Sequence, residues 1–224
     1  MELRFKDSAQ MAQGFKERFE ASVASAIAER GRYVLALTGG SAAAALYPSL
    51  QTAKLDGPKM HLFLGDERMV PWDHTESNYR GAAWLHDRYG IDVHPVQTRL
   101  DPAAAAAQYE KELAEYLPFD VIHLGMGPDG HICSLFPGHR LLEEKQRTVG
   151  WLDDSPKPPP ARVTLTLPVL AKARQLWFLV QGAAKADAVR AALKDPSSQL
   201  PAARAHRAAN ESIWFLDEAA ASKL

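Results

Sequence analysis

Hydrophobic residues follow two patterns along the chain, short continuous runs and a helical periodicity, and segments with these two patterns alternate. Short apolar runs of five or six residues predict buried strands, and most of the segments between them have helical spacing. The predicted strands are YVLALT at 33–38, MHLFL at 60–64, FDVIHL at 119–124, RVTLTL at 162–167, QLWFLV at 175–180 and SIWFL at 212–216. Strands that alternate with helices are typical of a mainly parallel sheet with helices on both faces. We therefore expect a doubly wound α/β fold, a single three-layer domain over residues 1–224.

The first predicted helix has the clearest periodicity. Apolar residues return at every fourth position from Met11 to Ile27, which predicts one buried stripe. Ser8 is its predicted cap, and Gly31 is its predicted end. The other predicted helices are an alanine-rich one after residue 41, one capped by Asp101, one over 184–193 and a short one after the last strand. The segment DDSPKPPP at 153–160 predicts a surface loop, because consecutive prolines cannot join a strand ladder.

Composition and net charge limit the classes of ligand that the chain is expected to bind. The 224 residues are 46% hydrophobic and 24% charged, with a formal net charge of -1. Such a chain has no general attraction for nucleic acid or for an anionic membrane, so local groups must hold any anionic ligand. The single cysteine, Cys133, excludes an intramolecular disulfide and favours a reducing compartment. With no apolar signal-peptide core at the N-terminus and no run long enough to span a membrane, we expect a cytoplasmic protein.

Two candidate ligand-binding segments directly follow predicted strands, where open parallel sheets bind ligands. Thr38-Gly39-Gly40-Ser41 stands between a strand and a helix, and free N–H groups at a helix start favour phosphate. An ordinary strand–helix turn is the alternative. Gly65-Asp66-Glu67-Arg68, followed by Asn78, sets an arginine beside carboxylates, which can hold its planar donor fork rigid. Here a solvated, salt-bridged turn is the alternative.

Two further candidates lie later in the chain. Glycine and proline constrain the segment Gly125–His131, which presents Asp129 and His131. An imidazole oriented by a carboxylate can act as a base near neutral pH, whereas an incidental surface turn is the alternative. Arg162 and Lys185 are candidate phosphate ligands. A lysine in the first turn of a helix opposes the helix dipole, and a bound anion would reverse that penalty; an exposed lysine is the alternative.

Neither a metal site nor a cofactor site is apparent from residue spacing. The chain lacks a His-Glu-x-x-His pattern and has only one cysteine. It also lacks the Gly-x-Ser-x-Gly motif of serine hydrolases. Its paired glycines are not followed by the third glycine of a dinucleotide fingerprint. We therefore expect no metal and no cofactor.

Several segments together resemble one family. TGGSAAAAL, FLGDERMVPWDHTESNYRGA, FDVIHLGMGPDGHICSLFPG, RVTLTLPVL and GAAKADAVRAAL occur in the order seen in bacterial-type 6-phosphogluconolactonases. Their superfamily also includes glucosamine-6-phosphate deaminases. The resemblance covers about residues 33–220 and implies a doubly wound α/β fold. It also implies cofactor-free hydrolysis of 6-phospho-glucono-δ-lactone.

The resemblance also implies roles for individual residues. His131 matches the family's catalytic histidine, and Asp129 and Arg68 match positions beside it. The positions that match phosphate contacts are Gly40, Ser41, Arg162 and Lys185. The chain departs from the usual pattern where Thr38 replaces a serine, Ala42-Ala43 replace Thr-Pro, and Glu76 replaces an aspartate.

These matches give a mechanistic hypothesis. His131 takes the proton from water that attacks C1, Asp129 orients the imidazole, and Arg68 or loop N–H groups stabilise the oxyanion. Asp66 and Glu67 either hold Arg68 or bind sugar hydroxyls, and this choice stays open. The alternatives are an aminosugar-phosphate deaminase or sugar-phosphate isomerase with Asp66 as the base, and a non-catalytic sugar-phosphate sensor. The expected partner is a small sugar phosphate, and the expected state is a monomer or small homo-oligomer.

Overall fold

The computed structural model describes all 224 residues. The strands are β1 Glu2–Phe5, β2 Tyr33–Leu37, β3 Met60–Leu64, β4 Asp66–Arg68, β5 Asp92–Val93, β6 Val121–Gly125, β7 Val149–Leu152, β8 Arg162–Leu165, β9 Gln175–Val180 and β10 Ser212–Asp217. The α-helices are α1 Ser8–Arg30, α2 Gly40–Leu46, α3 Asn78–Ala82, α4 Trp84–Tyr89, α5 Pro102–Leu113, α6 Leu167–Lys172, α7 Ala186–Lys194 and α8 Pro201–Ala208. None of these helices has both the length and the apolar character needed to cross a membrane.

Seven strands form the main sheet, in the order β1-β10-β9-β6-β2-β3-β5. Every neighbouring pair in it is parallel, which confirms the predicted doubly wound α/β fold. The chain runs from β2 outward to β3 and β5, then returns to β6 on the other side of β2. This reversal places a topological switch point between the carboxyl ends of β2 and β6, where such sheets bind ligands.

Helices cover both faces of the main sheet. Alternate residues of a strand point to opposite faces, so each central strand contributes side chains to both covered faces. On β2, Val34 and Ala36 pack into one hydrophobic cluster with α5 to α8. Tyr33, Leu35 and Leu37 pack into a second cluster with α1 and α2. These two clusters and the sheet between them form the three layers.

Helix α1 matches its prediction closely, with two local differences. Asp7, not Ser8, caps it, since the Asp7 side chain accepts from the N–H of Gln10. Its apolar stripe ends on buried Ala26, while Ile27 is only partly buried. A four-residue repeat drifts around a helix of 3.6 residues per turn, so the last position of the repeat leaves the buried face.

A second, smaller sheet was not predicted. It is antiparallel, with the order β4-β8-β7, and it contains the predicted strand 162–167, which ends at Leu165. Its register pairs Arg68 with Arg162 and thus brings two distant candidate residues together. The predicted helix after the last strand is also wrong: the residues after Asp217 form turns.

Candidate active site

An open cleft of about 350 Å³ lies at the switch point of the main sheet. Nine of the eleven candidate residues line it: Gly39, Gly40, Ser41, Asp66, Arg68, Asn78, His131, Arg162 and Lys185. Of the other two, Glu67 is buried behind the lining, and Asp129 is an exposed residue that is hydrogen-bonded to His131. The cleft is also lined by Lys157 and Gln181, which were not among the candidates.

Asp129 and His131 form a hydrogen-bonded pair at one side of the cleft. Asp129 Oδ1 lies 2.5 Å from His131 Nδ1. Because an ionised carboxylate can only accept, Nδ1 carries the proton, and the lone pair of the neutral ring is on Nε2. The ring lies directly against the backbone of Gly127, where a Cβ would stand 2.0 Å from Nδ1. Glycine at 127 is therefore required for this position of the imidazole.

The surroundings keep the pair in the ionisation states of a base and its orienting carboxylate. Burial, together with the charge of Lys157, lowers the pKa of His131 below its ordinary value, although the hydrogen bond and charge of Asp129 act to raise it. Burial acts to raise the pKa of Asp129, but the hydrogen bond and charge of His131 together with Lys157 lower it overall. At neutral pH the imidazole is thus neutral and its carboxylate partner is charged.

Two lysines contribute positive charge to the cleft. Lys157 Nζ lies 3.3 Å from His131 Nδ1 and 4.0 Å from Asp129 Oδ1. Lys185 stands just before α7, and no carboxylate lies within ion-pair distance of it. Burial and the charge of Lys157 lower the pKa of Lys185. An anion bound between the two lysines would relieve this repulsion.

Arg162 holds the loop that carries Lys157. Its Nε donates to the carbonyl of Pro159 at 3.0 Å, and its Nη2 donates to the carbonyl of Lys157 at 2.9 Å. The side chain is 5% exposed, and its Nη1 lies 3.7 Å from Asp66 Oδ2. Much of its guanidinium is therefore occupied by the protein, although it reaches the cleft.

Arg68 is fixed on one side and open on the other. Its Nη1 donates to the backbone carbonyl of Glu76 at 2.7 Å and to the carboxylate of Glu76 at 3.1 Å. Its Nε is buried and has no hydrogen-bond partner. Its Nη2 makes no hydrogen bond to the protein, and because Arg68 lines the cleft, this end of the fork is available to a ligand. Glu76, not Asp66 or Glu67, is the acidic partner of Arg68.

Glu67 has a structural position behind the cleft. Its carboxylate accepts from the backbone N–H groups of Arg68, Asn78 and Tyr79 and from the hydroxyl of Ser77. Burial raises its pKa, against the effect of these hydrogen bonds. The carboxylate thus joins β4 to the start of α3.

Asp66 and Asn78 form part of the cleft wall. Asp66 accepts from Ser134 Oγ at 2.6 Å and from Asn78 Nδ2 at 3.1 Å. A Cβ on Gly39 would stand 1.9 Å from Asn78 Oδ1. Glycine at 39 therefore allows the glycine loop and the Asn78 side chain to approach each other.

Comparison with known proteins assigns the chain and its fold to one family. The family model described as glucosamine-6-phosphate isomerases/6-phosphogluconolactonase matches residues 6–214. The chain belongs to this family.

Individual members of the family match over almost the whole chain. The 6-phosphogluconolactonase of Mycobacterium tuberculosis is 43% identical over 240 residues, covering 98% of this chain and 96% of that protein. The human 6-phosphogluconolactonase is 42% identical over 233 residues, covering 96% and 89%. The solved structure of the Trypanosoma brucei 6-phosphogluconolactonase has a TM-score of 0.89 and 29% identity, covering 100% of this chain and 98% of that one.

The departure from the usual family pattern at Thr38 keeps a hydroxyl at that position. Thr38 Oγ1 accepts from the N–H of Gly125 at 3.1 Å, which ties the end of β2 to the end of β6. Ala42 is buried beside Gly125. Both substituted positions thus support the junction between the two strands.

Proposed function

We propose that this member of the family hydrolyses 6-phospho-D-glucono-1,5-lactone to 6-phospho-D-gluconate without a cofactor, the second step of the oxidative pentose phosphate pathway. The main support for this proposal is that the Asp129–His131 pair lies at the same cleft as Lys157 and Lys185. A lactone that bears a phosphate needs these two functions, a base near C1 and a site for a dianion. The names of the relatives support the same reaction.

The base in this proposal is His131. Its Nε2 makes no hydrogen bond to the protein, so it is free to accept a proton from water. The water oxygen attacks C1, and the carbonyl electrons move to the oxygen to give a tetrahedral oxyanion. The C1–ring oxygen bond then breaks, and the imidazolium returns its proton to the ring oxygen. Asp129, bonded to Nδ1, stabilises the imidazolium formed between these steps.

The oxyanion needs donors that are in place before the reaction. Arg68 provides a guanidinium that Glu76 holds through Nη1, and its Nη2 makes no hydrogen bond to the protein. In this proposal Asp66 and Asn78 bind sugar hydroxyls, and Glu67 positions Arg68 and Asn78. The sequence left the roles of Asp66 and Glu67 open, and this proposal gives the two residues separate roles.

The phosphate site in this proposal consists of Lys157, Lys185 and the glycine loop. Both lysines reach the cleft, and they repel each other in the absence of an anion. Gly39, Gly40 and Ser41 form the adjacent wall. Arg162 acts mainly through the loop that it holds.

The proposal is tested by following acid release from freshly prepared lactone, corrected for spontaneous hydrolysis. The expected result is catalysed hydrolysis of the phosphorylated lactone and no ammonia release from glucosamine 6-phosphate. Ammonia release would support the deaminase alternative, in which Asp66 is the base. The hydrogen bonds of Ser134 and Asn78 to the two Asp66 oxygens favour the lactonase. Tight binding of sugar phosphate without turnover would support the non-catalytic sensor.

We also propose that the enzyme works in the cytoplasm. The single free cysteine, Cys133, is buried and is consistent with a reducing compartment. The oligomeric state, a monomer or small homo-oligomer, stays a prediction.

A further inference from the structure

Two histidines and an aspartate converge at the edge of the main sheet, outside the catalytic cleft. His61 is on β3, Asp92 is on the neighbouring edge strand β5, and His94 directly follows β5. The parallel register pairs His61 with Asp92. None of the three lines the cleft, so the group is separate from the proposed active site.

The spacing of the three ligand atoms matches one face of a tetrahedron. His61 Nδ1 and His94 Nε2 each lie 3.3 Å from Asp92 Oδ2, and the two nitrogens are 3.5 Å apart. Tetrahedral zinc has bonds of about 2.0–2.1 Å, so its ligand atoms are about 3.3–3.4 Å apart. An ion placed above the three atoms would therefore reach all of them at normal bond lengths.

A carboxylate outside the group fixes the orientation of one ligand. Glu112 Oε1 on α5 lies 2.7 Å from His94 Nδ1. Because the carboxylate accepts the Nδ1 proton, the neutral ring has its lone pair on Nε2, the atom that faces Asp92 and His61. Such carboxylate–histidine pairs are common behind zinc ligands, where they fix the tautomer and increase ligand basicity.

Hydrogen bonds among the three side chains explain this arrangement less well than a bound cation does. A single N–H on His61 can bridge toward Asp92 or toward His94, but it cannot point at both along good hydrogen-bond directions. One cation at the centre satisfies all three atoms at once.

From this geometry we propose that His61, Asp92 and His94 form a zinc-binding site. Imidazole nitrogens with a carboxylate select a borderline transition ion such as Zn²⁺ over Mg²⁺ or Ca²⁺, which prefer oxygen ligands. The Asp92 side chain is 60% exposed, so water can take the fourth position. The ion would join β3 to β5 and, through Glu112, to α5. Its effect is stabilisation of this sheet edge.

Cobalt titration tests the site directly, because tetrahedral Co²⁺ has an intense visible absorption that octahedral Co²⁺ lacks. The wild-type protein should bind one Co²⁺ with this absorption, and added Zn²⁺ should remove it. His61→Ala and Asp92→Asn should abolish the absorption. Glu112→Gln should weaken affinity about 10–100-fold, the usual cost of losing such an outer partner.

His139→Ala is the matched control. His139 also has a carboxylate partner, Asp154 at 3.0 Å, but it has no third ligand. This variant should keep the tetrahedral absorption. The tests rely on His61 and Asp92 because His94 is buried against Phe63 and its loss could disturb folding. Circular dichroism checks that each variant is folded.

Thermal unfolding provides a second measurement. Zn²⁺ at a hundred times its Kd should raise the wild-type Tm by roughly 5–10 °C and should leave the Tm of folded His61→Ala unchanged. Octahedral Co²⁺ spectra alone, or a tetrahedral absorption that persists in His61→Ala and Asp92→Asn, would overturn the proposal.

Discussion

Replacing Gly127 with alanine would place a methyl group inside the space of the His131 ring. The added Cβ would lie 2.0 Å from His131 Nδ1 and 2.3 Å from Asp129 Oδ1, whereas real Cβ atoms essentially never approach closer than 3.0 Å. The ring must therefore retreat by at least about 1 Å. A misplacement of about 1 Å at a reacting group can cost about 10²-fold in rate.

We therefore expect kcat of Gly127→Ala to fall about 10²-fold on the phosphorylated lactone. KM should change much less, because the methyl group points at the dyad and not at Lys185. The fold should persist, since Gly127 is not among the glycines with positive φ. The assay is initial acid release, with circular dichroism as the check of folding.

Gly81→Ala is the matched control for this substitution. Gly81 lies in α3, and nothing stands within 4 Å of the position its Cβ would take. This variant should keep wild-type activity. If folded Gly127→Ala had wild-type kcat, the inferred requirement for His131 against the Gly127 backbone would be refuted.

Four further predictions follow from the cleft. Because burial lowers the pKa of His131, and the neutral ring is the base, kcat/KM should be flat near neutral pH. It should fall only below about pH 6.5, the ordinary imidazole value; an acid limb centred above that value would contradict the assignment. Lys157→Ala and Lys185→Ala should each raise KM for the phosphorylated lactone roughly ten- to hundredfold, with little further effect on the unphosphorylated lactone; equal losses on both substrates would exclude a phosphate role. Arg162→Lys keeps the charge but not the planar fork that holds the Lys157 loop, so it should raise KM too, and wild-type KM would show that charge alone suffices. Exhaustive chelation should leave kcat unchanged, because the three potential metal ligands that meet in this fold lie outside the cleft; a loss restored by a divalent ion would recast the cleft carboxylates as ligands.

The sequence predicted the main sheet well because its central strands are continuous apolar runs. The runs at β2, β3, β6, β9 and β10 are confirmed. The missed strands have two to four residues and lie at edges or in the second sheet. Segments this short have too few positions to show a period.

The alternation of strand side chains explains the mixed result for Asp66, Glu67 and Arg68. These residues form β4, so the first and third face the cleft and the middle one faces away. Without a predicted strand there, the sequence offered no reason to separate Glu67 from its neighbours.

Two features depend on tertiary contacts that leave no local pattern. Lys157 follows Pro156 in a loop rich in proline, and the hydrogen bonds of Arg162 bring it to the cleft. His61, Asp92 and His94 meet because β3 and β5 pair in register. The expectation of no metal site rested on local ligand motifs. The separation of these three residues along the chain matches no such motif.

The central claim is that the Nε2 atom of His131 removes the proton from water. The most direct test compares kcat of wild type, His131→Ala and the control His86→Ala on fresh 6-phospho-D-glucono-1,5-lactone, corrected for spontaneous hydrolysis. His86 is exposed on α4, so its loss should leave kcat unchanged. His131→Ala should retain the fold and lose about 10²–10⁴-fold in kcat, the usual contribution of a positioned base. Near-normal kcat in folded His131→Ala would contradict the claim.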